Sequence, residues 1–203
     1  MGRSRPSRPK RPTLQDALRF AREGRWTFER DPISKPERVS RLDDLKTHFG
    51  ELYKKHVSKV RNLDILVIKC HLVVEFVLNQ FIDLAAPREG LLEIERFSFK
   101  QKAAIVFMLE FSADPVFWSN IDLLNSVRNK FAHRLEVDRD EIDRMIRLNF
   151  RDFEDSEWVA NLTEARRISA LKSITGAMCW YLLGFVEGIS MSIDWQSGSV
   201  GGE

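Results

Sequence analysis

The sequence predicts an all-α protein, an antiparallel bundle of helices with a disordered, basic arm at its N-terminus. Apolar residues in the body of the chain recur at spacings of three and four, which is typical of helix faces that pack on a core. Ten glycines and seven prolines are few for 203 residues, and several lie near the two ends. The middle therefore favours long helices, and the length is sufficient for one core.

Residues 1–36 are predicted to form an arm that is separate from the bundle. Its first twelve residues alternate basic side chains with three prolines and cannot form a core. A short helix is predicted after them, because Thr13 can cap it and Gly24 can end it.

The positive charge of the chain is concentrated in this arm. The first 30 residues contain nine Lys or Arg and three Asp or Glu, whereas the whole chain has a net charge of only +2. A basic arm on a mildly acidic body is typical of nucleic-acid binding, and a solubilising tail is the alternative. The candidate RNA-binding residues of the arm are Arg3, Arg5, Arg8, Lys10 and Arg11.

The composition argues against several classes of protein. Cys70 and Cys179 lie in apolar runs and are expected to be buried free thiols, without a disulfide framework or zinc spacing. No apolar secretory segment follows the basic N-terminus, and no window is expected to be long and apolar enough to span a bilayer. We therefore expect a cytoplasmic protein with no membrane association, no metal site and no cofactor.

Residues 37–193 are predicted to be the helical domain, and residues 194–203 a flexible tail. Residues 37–85 hold two helices, an amphipathic one and a second that is apolar almost all round and therefore central. Three glycines recur along the last helix and would permit close helix contact there, namely Gly176, Gly184 and Gly188. The helices after the first two are predicted at 100–111, 116–134, 138–148 and 162–193.

The fourth helix has two faces of different composition. At about 100° per residue, one arc must face the core and contains Phe117, Leu123, Leu124, Val127 and Phe131. The opposite arc contains Trp118, Ile121, Asn125, Arg128, Asn129, Ala132 and His133. Such a mixture of apolar and polar residues suits a protein interface or a ligand cleft, or a face covered by another helix of the bundle.

The polar part of this second arc has a definite geometry. Asn129 and His133 are four residues apart and are neighbours on the helix surface. Arg128 and His133 lie about 140° apart around an ideal helix. The guanidinium must therefore reach across Asn129 to approach the imidazole.

The run LLNSVRNKFAHRLE resembles the signature of the HEPN superfamily, an arginine and a polar residue followed by a histidine. Arg128, Asn129 and His133 match this signature with the short spacing. The run FSFKQKAAIVFMLE resembles the preceding helix in families related to the mannitol operon repressor. The run HLVVEFVLNQFI resembles the earlier core helix, in which Glu75 takes the place of a frequent acidic residue. The resemblance covers roughly residues 60–190.

This resemblance implies a HEPN-type bundle that forms homodimers and, in active members, a metal-independent ribonuclease site shared by two copies. It also implies a toxin or defence effector, with an antitoxin or regulatory protein as a possible partner. Other members of the superfamily are catalytically silent regulators or binding modules, and that remains the alternative. A plain interaction module, in which the motif occurs by chance, is a third interpretation.

The residues of the motif suit metal-independent cleavage by the 2′-hydroxyl of RNA. Imidazole has an ordinary pKa of about 6.5 and can move protons near neutral pH, so His133 is the candidate acid or base. Arg128 can bind phosphate oxygens in pairs, and Asn129 can orient the histidine or contact phosphate. Glu75, Lys130 and Arg134 are possible supporting residues, the last two through positive potential.

Structural explanations of the same residues remain open from sequence alone. A histidine near a helix C-terminus also suits the helix dipole. Arg128 has possible ion-pair partners in Asp122, Glu136 and Glu75. His71 and Glu75 are four residues apart on an apolar helix and are expected to form a buried hydrogen-bonded pair.

Overall fold

A computed structural model describes residues 35–85, 94–109, 115–150 and 161–192, and the described part of the chain is all-helical, as predicted. A single 3₁₀ turn, Ile94–Arg96, precedes the third helix. Residues 1–34 of the basic arm, including its predicted short helix, and the C-terminal tail lie outside the described residues, whereas residues 35 and 36 belong to the first helix. The helices are α1 Lys35–His56, α2 Leu63–Ala85, α3 Phe99–Met108, α4 Pro115–Arg134, α5 Arg139–Asn149 and α6 Glu164–Ser192.

The core of the bundle is built around α2 and α6. The apolar composition of α2 predicted a central position, and this helix packs against α1, α3, α4 and α6. Val77, Leu78 and Phe81 are fully buried, and the Phe81 ring stacks on Phe185 of α6 with centroids 6.2 Å apart. The burial of such large apolar side chains supplies the main driving force for folding.

The first helix packs its predicted apolar face on the core, with Leu42, Leu45 and Phe49 buried. Tyr53 on the same helix donates a hydrogen bond to the backbone carbonyl of Lys172. The tyrosine ring lies beside Gly176 of α6, where an added Cβ would be 3.4 Å from the tyrosine oxygen. The prediction of close contacts at recurring glycines therefore holds at this position. At the other two, Gly184 and Gly188, no atom that the structure describes lies within 4 Å of a Cβ placed there, so no close contact forms at them within the described residues.

Side-chain caps set the beginnings of α3 and α5. Ser98 accepts a hydrogen bond from the Gln101 backbone, and the Gln101 side chain accepts one from the Ser98 backbone, which together form a capping box. Asp138 caps α5 in a similar way by accepting from the Glu141 backbone. The helix predicted at 100–111 consequently starts one residue earlier and ends at Met108.

An ion pair fastens α5 to α6. The Arg167 guanidinium donates two hydrogen bonds, of 2.6 and 2.7 Å, to the two carboxylate oxygens of Asp143. Such fork-shaped pairs fix orientation as well as distance, because both partners are planar. The pair therefore sets the position of α5, whose other side lies along α4.

The expectation that no segment is long and apolar enough to span a bilayer is wrong. Leu63–Ala85 and Glu164–Gly188 both meet the length and composition of a membrane span. The charged residues of α2 are too few to prevent this helix from having the length and composition of a membrane span. These helices form the core of the bundle, and core helices of soluble proteins pass the same test, so length and composition are weak evidence for a membrane span.

We predict that Phe81→Ala lowers the free energy of unfolding by about 3–5 kcal/mol, because a fully buried ring is replaced by a cavity. Leu72→Ala on the same helix is the matched control. The Leu72 side chain is exposed, so its loss should cost less than about 0.5 kcal/mol. Urea denaturation of both variants measures the difference, and equal losses would contradict this position of α2.

Candidate functional site

The apolar face of α4 packs on the core as its spacing predicted. Phe117, Leu123, Leu124 and Val127 are buried, and Phe131 is half-buried against the same core. This face is held by α2, α3 and α5, which all pack on α4. Because a helix turns about 100° per residue, its orientation fixes where every other side chain of α4 points.

The opposite face is divided between the bundle and the surface. Ile121 and Asn125 are only 3% and 6% exposed, and Trp118 is half-buried. Of the alternatives that were open from sequence, coverage by another helix applies to this part of the face, because α3 lies beside Trp118 and Ile121. The face beyond this point, towards the end of α4, is open and consists of Arg128, Asn129, Ala132 and His133, all of them exposed.

Arg128 turns towards Asn129, as an approach to the histidine requires. Its Nη1 donates a hydrogen bond of 3.1 Å to Asn129 Oδ1. Within the described residues Arg128 forms no ion pair, so none of the three carboxylates considered from sequence neutralises it. The guanidinium is therefore available to an anionic ligand.

Asn129 and His133 line one open groove with a volume of about 380 Å³. Arg128 is not among the described residues that line this groove, and its link to the groove is the hydrogen bond to Asn129. The structure thus brings Asn129 and His133 together and places Arg128 at their edge. The remaining lining residues are Lys100, Asp122, Asn125, Ser126, Lys130 and Arg134.

Lys130 is engaged in ion pairs that join α4 to the start of α5. Its Nζ donates to Glu141 Oε1 at 2.8 Å and to Asp138 Oδ2 at 2.9 Å. The hydrogen bonds to Glu141 and Asp138 raise the pKa of Lys130, and the same contact lowers the pKa of Asp138. Two carboxylates offset its charge, so Lys130 acts here as a clamp between helices. Positive potential was expected from both Lys130 and Arg134, and the exposed Arg134 supplies it.

A buried polar cluster lies between α2 and α3, beneath the open end of α4. Lys102 is 3% exposed and its Nζ donates to Glu75 Oε1 at 2.6 Å. His71 Nδ1 lies 3.9 Å from Glu75 Oε2, which is too long for a hydrogen bond. The predicted hydrogen-bonded pair of His71 and Glu75 is therefore wrong, because Lys102 from another helix takes the carboxylate.

Sequence reasoning missed Lys102, since nothing local indicates a partner 27 residues away. Glu75 was expected to support the motif and contacts Lys102 instead of Arg128. The ion pair ties α3 to α2, and α4 packs on both helices. Its effect on the motif is therefore through the position of α4.

His71 is enclosed by this cluster. Its ring stacks on Phe99 with centroids 4.2 Å apart, and Nε2 has no hydrogen-bond partner among the described residues, although the Asn125 amide lies beside the ring. Burial lowers the pKa of His71. A hydrogen bond with Asn125 and the charge of Glu75 act to raise it, whereas the charges of Arg128 and Lys102 act to lower it. His71 is consequently neutral at physiological pH.

The chain leaves α4 immediately after the motif through a left-handed residue. Leu135 has a φ of 59° and donates its backbone N–H to the Phe131 carbonyl at 2.8 Å, which closes the last turn. Its side chain is 78% exposed. A leucine in this conformation costs about 1 kcal/mol relative to glycine, and nothing within the described bundle covers it.

The two cysteines are buried free thiols, as expected. Burial raises the pKa of Cys70 to about 12 and raises that of Cys179 still further. Both thiols are therefore protonated and unreactive in the folded chain. Within the described residues, no three His, Cys, Asp or Glu side chains are grouped as metal ligands.

Comparisons with models of protein families, with curated proteins and with solved structures found no match to this chain. The HEPN resemblance therefore remains a prediction that rests on the motif and its neighbouring helices.

We predict that the free energy of unfolding falls as the pH is lowered from roughly 7.5 to roughly 5.5. The pKa of His71 is lower in the folded chain than its ordinary value of 6.5, so the unfolded chain binds the proton first. The stabilisation is present above pH 6.5 and is lost below it, down to the folded pKa.

Chemical denaturation across this range measures the effect. His71→Leu should flatten the dependence, whereas His133→Gln, at an exposed position, should retain it. If the free energy of unfolding of the His71→Leu variant depends on pH as strongly as that of the wild-type chain, another group is responsible.

Proposed function

We propose that this chain is a HEPN-type, metal-independent endoribonuclease that acts as a homodimer in the cytoplasm. The observation that carries the proposal is the open end of α4, where Arg128, Asn129 and His133 are exposed together. Arg128 has no carboxylate partner within the described bundle. An exposed guanidinium without such a partner can bind phosphate oxygens in pairs.

Each residue of the motif has a separate task in the proposed reaction. His133 accepts the proton of the 2′-hydroxyl, whose oxygen attacks the adjacent phosphorus while the bond from phosphorus to the 5′-oxygen breaks. Arg128 binds the phosphate oxygens that gain negative charge, and Asn129 holds the guanidinium on the histidine side. The products are a 2′,3′-cyclic phosphate and a 5′-hydroxyl.

A proton donor is also needed for the leaving 5′-oxygen. One chain contributes one histidine to the groove, so the homodimer supplies His133 of a second copy for this step. The exposed position of His133 leaves it accessible to such a copy. On this proposal the protein is a toxin or defence effector, and an antitoxin or regulatory protein would act by covering the groove.

A catalytically silent HEPN-fold regulator or binding module is the second candidate. It is favoured by an exposed apolar side chain next to the motif, Leu135 after α4, and by the exposed Phe107, which packs on Trp118 at the other end of α4. Exposed apolar residues of this size are typical of protein contacts. On this alternative the open end of α4 binds a partner and performs no chemistry.

We predict that His133→Ala and Arg128→Lys each reduce the rate of RNA cleavage by roughly 100-fold or more, because the first removes proton transfer and the second removes paired contacts to phosphate. His56→Ala and Arg61→Lys, on α1 and in the turn after it, are the matched controls and should cleave at the wild-type rate. The measurement is the rate of cleavage of total RNA by purified protein with excess chelator.

Thermal unfolding of each variant serves as the control for folding. Cleavage that persists in a folded His133→Ala protein would contradict the mechanism. The absence of cleavage by the wild-type protein would favour the silent module.

A further inference from the structure

The groove lined by His133 continues along α4 beyond the motif. A second depression of about 630 Å³ adjoins it, and both are lined by Lys100, Asp122 and Ser126. Together they form one open groove with α4 as its floor, Lys100 of α3 on one side and residues of α5 on the other. The basic residues that α5 contributes are Arg144 and Arg147.

The free charges of this groove are positive. Five cationic and two acidic side chains line it, and both acids are engaged: Glu141 is bound to Lys130 and Ser126, and Asp122 lies 3.8 Å from Lys100 Nζ. Arg134, Arg144 and Arg147 are exposed and form no ion pair with any residue that the structure describes. Unpaired arginines in a row along a groove are suited to binding successive phosphates.

We propose that this groove binds single-stranded RNA on one side of the cleaved bond, with Arg144 and Arg147 on its phosphates. The identification of the ligand as RNA rests on the proposed function, whereas the position of the binding site is inferred from the groove itself. From Ser119 to Arg134 the floor measures about 22 Å at 1.5 Å per residue. That length accommodates roughly six nucleotides of a stacked strand at about 3.4 Å each.

A single strand fits the chemistry better than a duplex. Attack by the 2′-hydroxyl needs the hydroxyl, the phosphorus and the leaving oxygen in line, which the A-form helix does not permit. Sequence-specific recognition of RNA also takes place mainly at unpaired nucleotides. The two serines in the floor, Ser119 and Ser126, are small and let a backbone lie close to α4.

The test compares Arg144→Gln/Arg147→Gln with the matched control Lys59→Gln/Arg61→Gln, which removes two charges from the exposed turn between α1 and α2. Both are made in the full chain carrying His133→Ala, so that binding is measured without cleavage. The probe is a fluorescein-labelled single-stranded RNA of about twelve nucleotides, followed by anisotropy at several salt concentrations.

We expect Kd to rise roughly tenfold in the groove variant, and the slope of log affinity against log salt to fall by about 1.4, or 0.7 for each lost phosphate contact. The control should change neither value. An equal change in both variants, or none in the groove variant, would overturn the inference, and so would the absence of RNA binding by the His133→Ala parent.

Failure of the groove and failure of the proposed function give different results. RNA binding that depends on Arg144 and Arg147 in a protein that does not cleave would support the groove and refute the nuclease. Cleavage by the wild-type chain together with an unchanged salt slope in the groove variant would refute the groove alone. Preferential binding of an acidic peptide over RNA would also overturn the inference.

Discussion

The structure depends on the burial of one face of α4. Leu124 and Val127 are fixed in the core, and the helical period then directs Arg128, Asn129 and His133 to the surface. A rotation of α4 that hid the motif would expose several large apolar side chains. The cost in free energy is about 25 cal/mol for each Å² of apolar surface that is exposed. Core packing and the position of the motif are therefore one constraint.

Two sets of ionic contacts hold α4 in that orientation. Lys130 joins its last turns to the start of α5, and the buried ion pair of Lys102 and Glu75 joins the two helices beneath it. Breaking a buried pair on one side leaves an uncompensated charge, which costs more than the pair itself contributes. These residues act on the site by positioning the helix, and the free cations of the groove are left for a ligand.

Much of the fold follows from sequence because helix formation is a local property. The period of the apolar residues predicted α4 and α5 to within a residue or two. The contacts between helices were not predictable in this way. Lys102 lies beside Gln101 in a short helix with no sign of a distant partner, and the burial of Ile121 and Asn125 depends on which helices meet. The contribution of the two α5 arginines to the groove likewise could not be predicted, because it depends on the position of α5 beside α4.

The most direct test of the account is the chemical identity of the ends that the wild-type chain leaves on a defined RNA oligonucleotide, determined by mass spectrometry with excess chelator present. The account predicts a 2′,3′-cyclic phosphate on one fragment and a 5′-hydroxyl on the other, because the attacking oxygen belongs to the RNA. Fragments that carry a 3′-hydroxyl and a 5′-phosphate, or an intact oligonucleotide, would contradict it.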